Sequence, residues 1–184
     1  MTRSLPALSP SLQKLNPHLA ERESRRTKNA RRGRTAKARG TRFEDEVEAF
    51  LRDHPRVAHF TRCDARVHAT GDEVLYREAS GCDFVGLFVG GGAFAVECKS
   101  AARHGGQVFT SKAHAIARRR PRAPCVTEAQ REQLDAYAAH GLAVLYVRFG
   151  ALDVAFQWSA VRELAMVDNT MPGGVSLGMA MEAT

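Results

Sequence analysis

Cysteine is scarce in this chain and follows no pattern. Cys63, Cys82, Cys98 and Cys125 are the four cysteines of the 184 residues. None forms a C-x-x-C pair, and no Cys/His cluster has the spacing of a zinc site. A disulfide framework and a zinc finger are therefore not expected, and the thiols read as small, reduced hydrophobes. Long apolar runs are also missing, so no segment reads as a bilayer span. Ser4, Ser9, Ser11, Gln13 and Lys14 interrupt the leucines near the start, which leaves no secretory hydrophobic stretch. The expectation is a cytoplasmic protein with no membrane partner. There is no internal repeat.

What is present is an ordinary apolar fraction of 44% in a chain sized for one domain plus appendages. A domain of that size buries a core without disulfides or a structural metal. The net charge of +7 is unevenly spread. Residues 1–40 hold eleven Lys/Arg and two Glu, a net of +9, so the remainder carries 16 Lys/Arg against 18 Asp/Glu, a net of −2. The basic character thus belongs to a tail. Few large apolar residues and dense like charge from Arg22 to Arg39 predict that residues 1–40 are largely disordered. Such arms bind polyanions, with nucleic acid the natural candidate and a merely solubilising tail the alternative. Arg31, Arg32, Arg34, Lys37 and Arg39 are the candidate phosphate contacts there.

Thr41-Arg42-Phe43-Glu44 fits a capping box and predicts a helix starting at Thr41. Phe43, Val47, Phe50 and Leu51 make its apolar stripe, and Pro55 stops it. Val57 to Cys63 reads as a strand, and residues 64–80 as a short hairpin or irregular segment. Strands are expected from Cys82 to Val89 and from Ala93 to Lys99, around Gly90-Gly91-Gly92. Ser100 to Val126 reads as a long polar loop containing Arg118, Arg119, Arg120 and Arg122. Thr127-Glu128-Ala129-Gln130 is a second capping box, opening a helix that ends near Gly141. Leu142 to Phe149 is a buried strand, Asp153 to Trp158 another strand, and Ala160 to Met166 a short helix. The last fifteen or so residues carry little signal. The order predicts an α/β domain, a central mixed sheet flanked by helices.

Asp83 and Glu97-Cys98-Lys99 form the sharpest constellation. Glu97 and Lys99 are two apart on a strand and share a face. A three-residue Gly90-Gly91-Gly92 loop sets Asp83 opposite Lys99 and diagonal to Glu97, within about 5 to 8 Å. A two-residue loop sends Asp83 to the wrong face. The odd loop also gathers Phe84, Phe88, Phe94, Val96 and Cys98 on the second face. Two carboxylates and the Cys98 carbonyl are hard oxygen donors suited to Mg²⁺, with Mn²⁺ as substitute. Lys99 could then orient a water or stabilise phosphorane charge. The alternative is a surface ion pair at a strand end. Glu44, at the edge of its helix's buried face, either completes this site or only caps. Gln130 is likewise ambiguous: N3 of a capping box, or a polar group facing phosphate.

These residues, in this order, resemble the PD-(D/E)XK nuclease superfamily. The likeness runs from Arg39-Gly40-Thr41-Arg42-Phe43-Glu44, through Asp83-Phe84-Val85-Gly86-Leu87-Phe88 and Phe94-Ala95-Val96-Glu97-Cys98-Lys99, to Gln130 on the second helix. Within the superfamily it is nearest to the RecU-type and archaeal Holliday-junction resolvases, over about residues 39–158. Cys82 stands where the superfamily motif has proline, and the stretch between Glu44 and Asp83 is shorter than in RecU. The resemblance implies a restriction-endonuclease-like fold, with residues 41–184 a nuclease domain and residues 1–40 a DNA-binding tail. It implies Glu44, Asp83 and Glu97 as acidic metal-site residues, with the Cys98 carbonyl among the donors. Lys99 would be the catalytic lysine, with Gln130 near it. The implied activity is Mg²⁺-dependent resolution of four-way DNA junctions by a homodimer. Three alternatives stay open: another repair or restriction-like nuclease, a catalytically silent nucleic-acid-binding module of the same fold, and, from the basic tail alone, a ribosome- or RNA-associated protein.

The arginines at 118, 119, 120 and 122 lie between the catalytic strand and the Gln130 helix. Replacing all four with glutamine is expected to alter junction selectivity or cut position more than overall affinity. Parallel gel-shift and cleavage-mapping assays check this, and an equal loss of affinity on every DNA would contradict it.

Overall fold

The computed structural model describes residues 17–63, 67–70, 73–76, 81–101, 108–109, 126–164 and 166–183. Arg118, Arg119, Arg120, Arg122 and Cys125 lie outside the described residues. The chain divides into two units, Met1–Arg39 and Gly40–Thr184.

Helix α1 spans Pro17–Asp53, 37 residues, and so runs through the unit boundary. The expected start at Thr41 is corrected: Thr41 is inside the helix and caps nothing. The expectation of a largely disordered 1–40 is corrected for residues 17–40. The composition explains this. Arg, Lys and Ala are strong helix formers, and no proline follows Pro17 until Pro55. Gly33 and Gly40 each cost only about 1 kcal/mol relative to alanine. A local capping signal cannot end a helix whose preceding residues favour continuing it.

In the second unit, β1 (Val57–Arg62), β4 (Phe84–Phe88), β5 (Ala93–Ala101), β7 (Gly141–Phe149) and β8 (Leu152–Gln157) form one mixed sheet in the order β1-β4-β5-β7-β8. β1, β4 and β5 are an antiparallel meander, β5 and β7 are parallel, and β7 and β8 antiparallel. Helix α2 (Glu128–His140) lies in the connection that the parallel pair requires. Residues Val67–Thr70 (β2) and Glu73–Tyr76 (β3) make the hairpin expected in the 64–80 region. A two-residue strand β6 (Val108–Phe109), inside the expected loop, pairs with β9 (Met166–Val167). Trp158–Val161 forms a single turn, α3, two residues earlier than expected because Trp158 is drawn into the core. The C-terminal stretch is structured: Ser176 caps helix α4 (Leu177–Glu182). No helix among the described residues is long and apolar enough to cross a membrane.

Both sheet faces are covered, but unequally. Phe43, Val47 and Leu51 of α1 and Leu177, Ala180 and Met181 of α4 pack with Phe84, Phe94, Val96 and Val144 on one face. Leu134 of α2 packs with Ala95, Leu145, Val147, Phe156 and Trp158 on the other. That second layer stops short of the β4 end, so Leu87 and Val89 stay exposed. Two arginines bind the acidic side of α1. Arg148 of β7 grips Asp153 through two bonds of 2.7 and 2.6 Å, reaches Glu46 at 2.7 Å, and lies 4.2 Å from the Phe43 ring centre. It holds the Glu46 carboxyl below its usual pKa. Arg62 is bound by Glu44, Asp45 and Glu48 at 2.6–3.0 Å.

Gly86, in the middle of β4, has no room for a side chain. A Cβ there would collide with the His59 carbonyl and the Phe94 ring. Gly86→Ala is therefore expected to destabilise the domain by about 1–3 kcal/mol, because backbone and a packed ring must both move. Urea unfolding checks this, and a midpoint equal to that of the unmodified chain would show that β1 and β4 are further apart.

Candidate functional site

The β4–β5 hairpin sets the site. Its ladder pairs Phe84 with Val96, Val85 with Ala95, and Leu87 with Ala93. Phe88 N–H then donates to the Gly92 carbonyl at 2.9 Å. The three loop residues are thus Val89, Gly90 and Gly91, one position earlier than expected. Gly90, Gly91 and Gly92 all take φ near +90 to +105°, a backbone region that glycine enters without strain. The odd loop length is as expected, and with it the face assignment, but the register moves by two. One step past the Phe84–Val96 pair, Asp83 stands opposite Glu97 and diagonal to Lys99, where the opposite arrangement was expected.

Asp83 precedes β4 and folds back onto β5. Its Oδ2 accepts the Cys98 backbone N–H at 2.7 Å. A residue's N–H and C=O face the same neighbouring strand, so the Cys98 carbonyl faces that edge as well. β4 has already ended there, and no β4 residue pairs with Cys98. Cys82, just before Asp83, is pinned from the other side: its backbone N–H donates to Gln133 Oε1 of α2. Burial, with Glu97 and Asp83 nearby, pushes the Cys82 thiol well up, so it is a neutral thiol in the wall.

Glu97 is completely buried. Lys99 Nζ is in ion contact with its Oε1. The Lys99 ammonium and the Asp83 backbone N–H both favour its charged form. Burial raises its pKa to about 8; Lys99 opposes this and the Asp83 charge adds to it. Lys99 also reaches Gln130 Oε1 at 3.5 Å. That oxygen accepts the Thr127 backbone N–H at 2.9 Å, while Thr127 Oγ1 accepts the Gln130 N–H at 3.3 Å. Gln130 therefore completes the capping box, as one of its two readings expected, and its side-chain oxygen also faces the lysine.

The structure thus gathers Asp83, Glu97, Cys98, Lys99 and Gln130. Glu44 is in a neighbouring cluster. It sits on α1, which covers the opposite sheet face, and binds Arg62 Nη2 at 2.9 Å. Its charge is still felt at the Cys98 thiol. Among the described residues, no three His, Cys, Asp or Glu side chains converge as a group able to hold a metal ion. The donor set at this edge is two carboxylates and one backbone carbonyl. It suits a hard cation that keeps several waters, and a fully buried Glu97 carboxylate close to the Asp83 charge fits that role. Arg31, Arg34, Lys37 and Arg39 are exposed on α1, in the other unit.

Two positioning residues were not found in the sequence. Gln133 follows Gln130 by three on α2, so helical spacing was an available signal. Arg62 gave none, because its three carboxylate partners come from another element. No protein-family model matches the chain, and no curated protein is significantly similar to it.

A carboxyl whose pKa rises from 4.5 to about 8 on folding leaves stability untouched below pH 4.5. Its penalty grows between those values and is complete above pH 8. In chelator, Glu97→Gln is therefore expected to gain stability relative to the unmodified chain as pH rises from 5 to 8.5, by on the order of 4 kcal/mol. Urea titrations across that range check this. A difference independent of pH would mean that Glu97 is solvated.

Proposed function

We propose that this chain is a Mg²⁺-dependent DNA endonuclease with a restriction-endonuclease-like core, and that it resolves four-way junctions in the cytoplasm. The observation that carries the reading is the fully buried Glu97 carboxylate beside a second acid, Asp83, with Lys99 on the same sheet face. Burying a carboxylate is costly unless a cation compensates it. One lysine balances one of the two acids, and the remaining negative charge is what a divalent ion on a phosphodiester requires.

In this reading Asp83, Glu97 and the Cys98 carbonyl hold the ion. A bound Mg²⁺ supplies charge neutralisation and Lewis-acid polarisation of the phosphodiester. Lys99 orients the attacking water or stabilises charge on the phosphorane. Gln130 keeps the Lys99 ammonium at that edge, and Gln133 keeps Asp83 turned onto β5 by pinning Cys82. Glu44 contributes through its field and through α1, held by Arg62. Two symmetric cuts across a junction call for two active sites, hence a homodimer. The ordered likeness to junction resolvases supports the choice of substrate.

The Lys99–Glu97 ion pair favours a second reading. If lysine alone neutralises Glu97, the fold is a silent nucleic-acid-binding module.

Asp83→Asn and Glu97→Gln are expected to lower junction cleavage by on the order of 100-fold or more while preserving binding. Lys99→Ala should remove most activity. Cleavage should need Mg²⁺ or Mn²⁺ and stop in chelator, and Ca²⁺ should support binding with little cleavage. Mg²⁺ should also raise the thermal midpoint of the unmodified chain at pH 8 but not that of Glu97→Gln. A gel with four-way junction, fork, duplex and single strand, run beside thermal melts, decides. Full cleavage by either carboxamide variant, or turnover in excess chelator, overturns the nuclease. Junction binding with neither cleavage nor a Mg²⁺ shift establishes the silent module.

A further inference from the structure

The first unit contains a basic helix with an unusual arrangement of charge. Arg25, Lys28, Arg31, Arg34 and Lys37 recur every third residue, and all five are exposed. An α-helix turns about 100° per residue, so each step of three moves about 60° back around the axis. The cations therefore wind around the helix and do not line one face. Arg39 adds a further exposed cation. No Asp or Glu occurs from residue 24 to residue 43, and alanine is the only apolar residue type from 25 to 39.

Those features select among polyanions. A helix lying on a bilayer needs an apolar face, and this one has none. A coiled-coil partner needs an apolar seam, also missing. Single strands are held largely by stacking on aromatic side chains, and residues 25–39 include none. A cation distribution that winds around the axis fits a ligand with phosphates on both sides of the helix. The major groove of B-form DNA, about 12 Å wide, admits a helix of about 10–12 Å diameter between two phosphate walls. The A-form RNA groove is too narrow and deep.

We propose that residues 25–39 of α1 are a duplex-DNA-binding element that lies in the major groove and contacts phosphates on both walls. The proposal rests on the DNA-substrate reading above but does not use its cleavage chemistry. Contacts of this kind are largely independent of base sequence. They depend on the segment being helical, which separates a groove-seated helix from a loose basic tail.

The test uses the full chain in chelator and fluorescence anisotropy, from low to high salt. The ligands are a DNA duplex of about two helical turns, the same duplex as RNA, single-stranded DNA, and vesicles of phosphatidylserine and phosphatidylcholine. R25Q/K28Q/R31Q/R34Q/K37Q keeps helix propensity while removing charge. Each cation withdrawn from a phosphate lowers the log–log salt slope by about 0.9, so the slope on duplex DNA should fall by up to about 4.5. Ala30→Pro keeps every charge and breaks the helix, and should weaken duplex binding about tenfold or more. DNA whose major groove is filled by glucosylated hydroxymethylcytosine should bind weakly, while the minor-groove ligand netropsin should not compete. An unchanged slope in the glutamine variant overturns the proposal, as does full affinity in Ala30→Pro. Equal binding to RNA duplex or to vesicles also overturns it, the latter indicating a membrane surface. The nuclease reading fails separately: duplex binding as expected with no cleavage on restoring Mg²⁺ removes that reading and leaves this one.

Discussion

A carboxylate without exposed surface, at the point where a β-strand outruns its neighbour, constrains everything around it. Glu97 lies in β5 past the last β4 pair, so sheet hydrogen bonding has ended on that side. On that side its nearest polar neighbours are Asp83 and Lys99. Asp83 folds back to take the Cys98 N–H, Lys99 takes one Glu97 oxygen, and Gln130 steadies Lys99. A purely structural edge would seal this gap with apolar side chains, at far lower electrostatic cost.

The same economy appears where α1 meets the sheet. Four acids, Glu44, Asp45, Glu46 and Glu48, follow one another along one helix and repel each other. Arg62 and Arg148 resolve this from below, each binding acids on α1 while its guanidinium lies near a phenylalanine ring, Phe84 for Arg62 and Phe43 for Arg148. The helix is fixed by Phe43, Val47 and Leu51 and oriented by the two arginines. Arg62 also holds Glu44 on its own face of the sheet.

Local periodicity carried much of this into the sequence. The Phe43–Leu51 stripe, the Thr127–Gln130 capping box, the apolar run of β7 and the odd-length hairpin loop could all be read, because each is a short-range pattern. The odd loop alone put Asp83, Glu97 and Lys99 on one face. What could not be read was set by longer range or by competition. The register moved by two because Val89 joined the loop, which changes no face and so leaves no trace in the hydrophobic pattern. Thr41 gave a sound capping signal that the helix-forming stretch before it overrode. α4 was missed although Ser176, Leu177, Ala180 and Met181 have the spacing of a capped helix, since six residues alone are too few to stand out. Glu44 and Arg62 needed tertiary contacts that no spacing encodes.

The β5–β7 pairing has a consequence for how the chain reaches this state. Nine consecutive pairs, from Ala93–Gly141 to Ala101–Phe149, join strands 48 residues apart in sequence. The β1–β4–β5 meander forms from closer neighbours, whereas this parallel ladder must wait for its distant partner, and contacts of that kind form slowly. Glu97 pairs with Leu145 and Lys99 with Val147. During synthesis, the β7 side of β5 therefore stays open until residues through Phe149 have emerged. The meander can collapse first, but the buried carboxylate is enclosed only when the second half of the chain arrives.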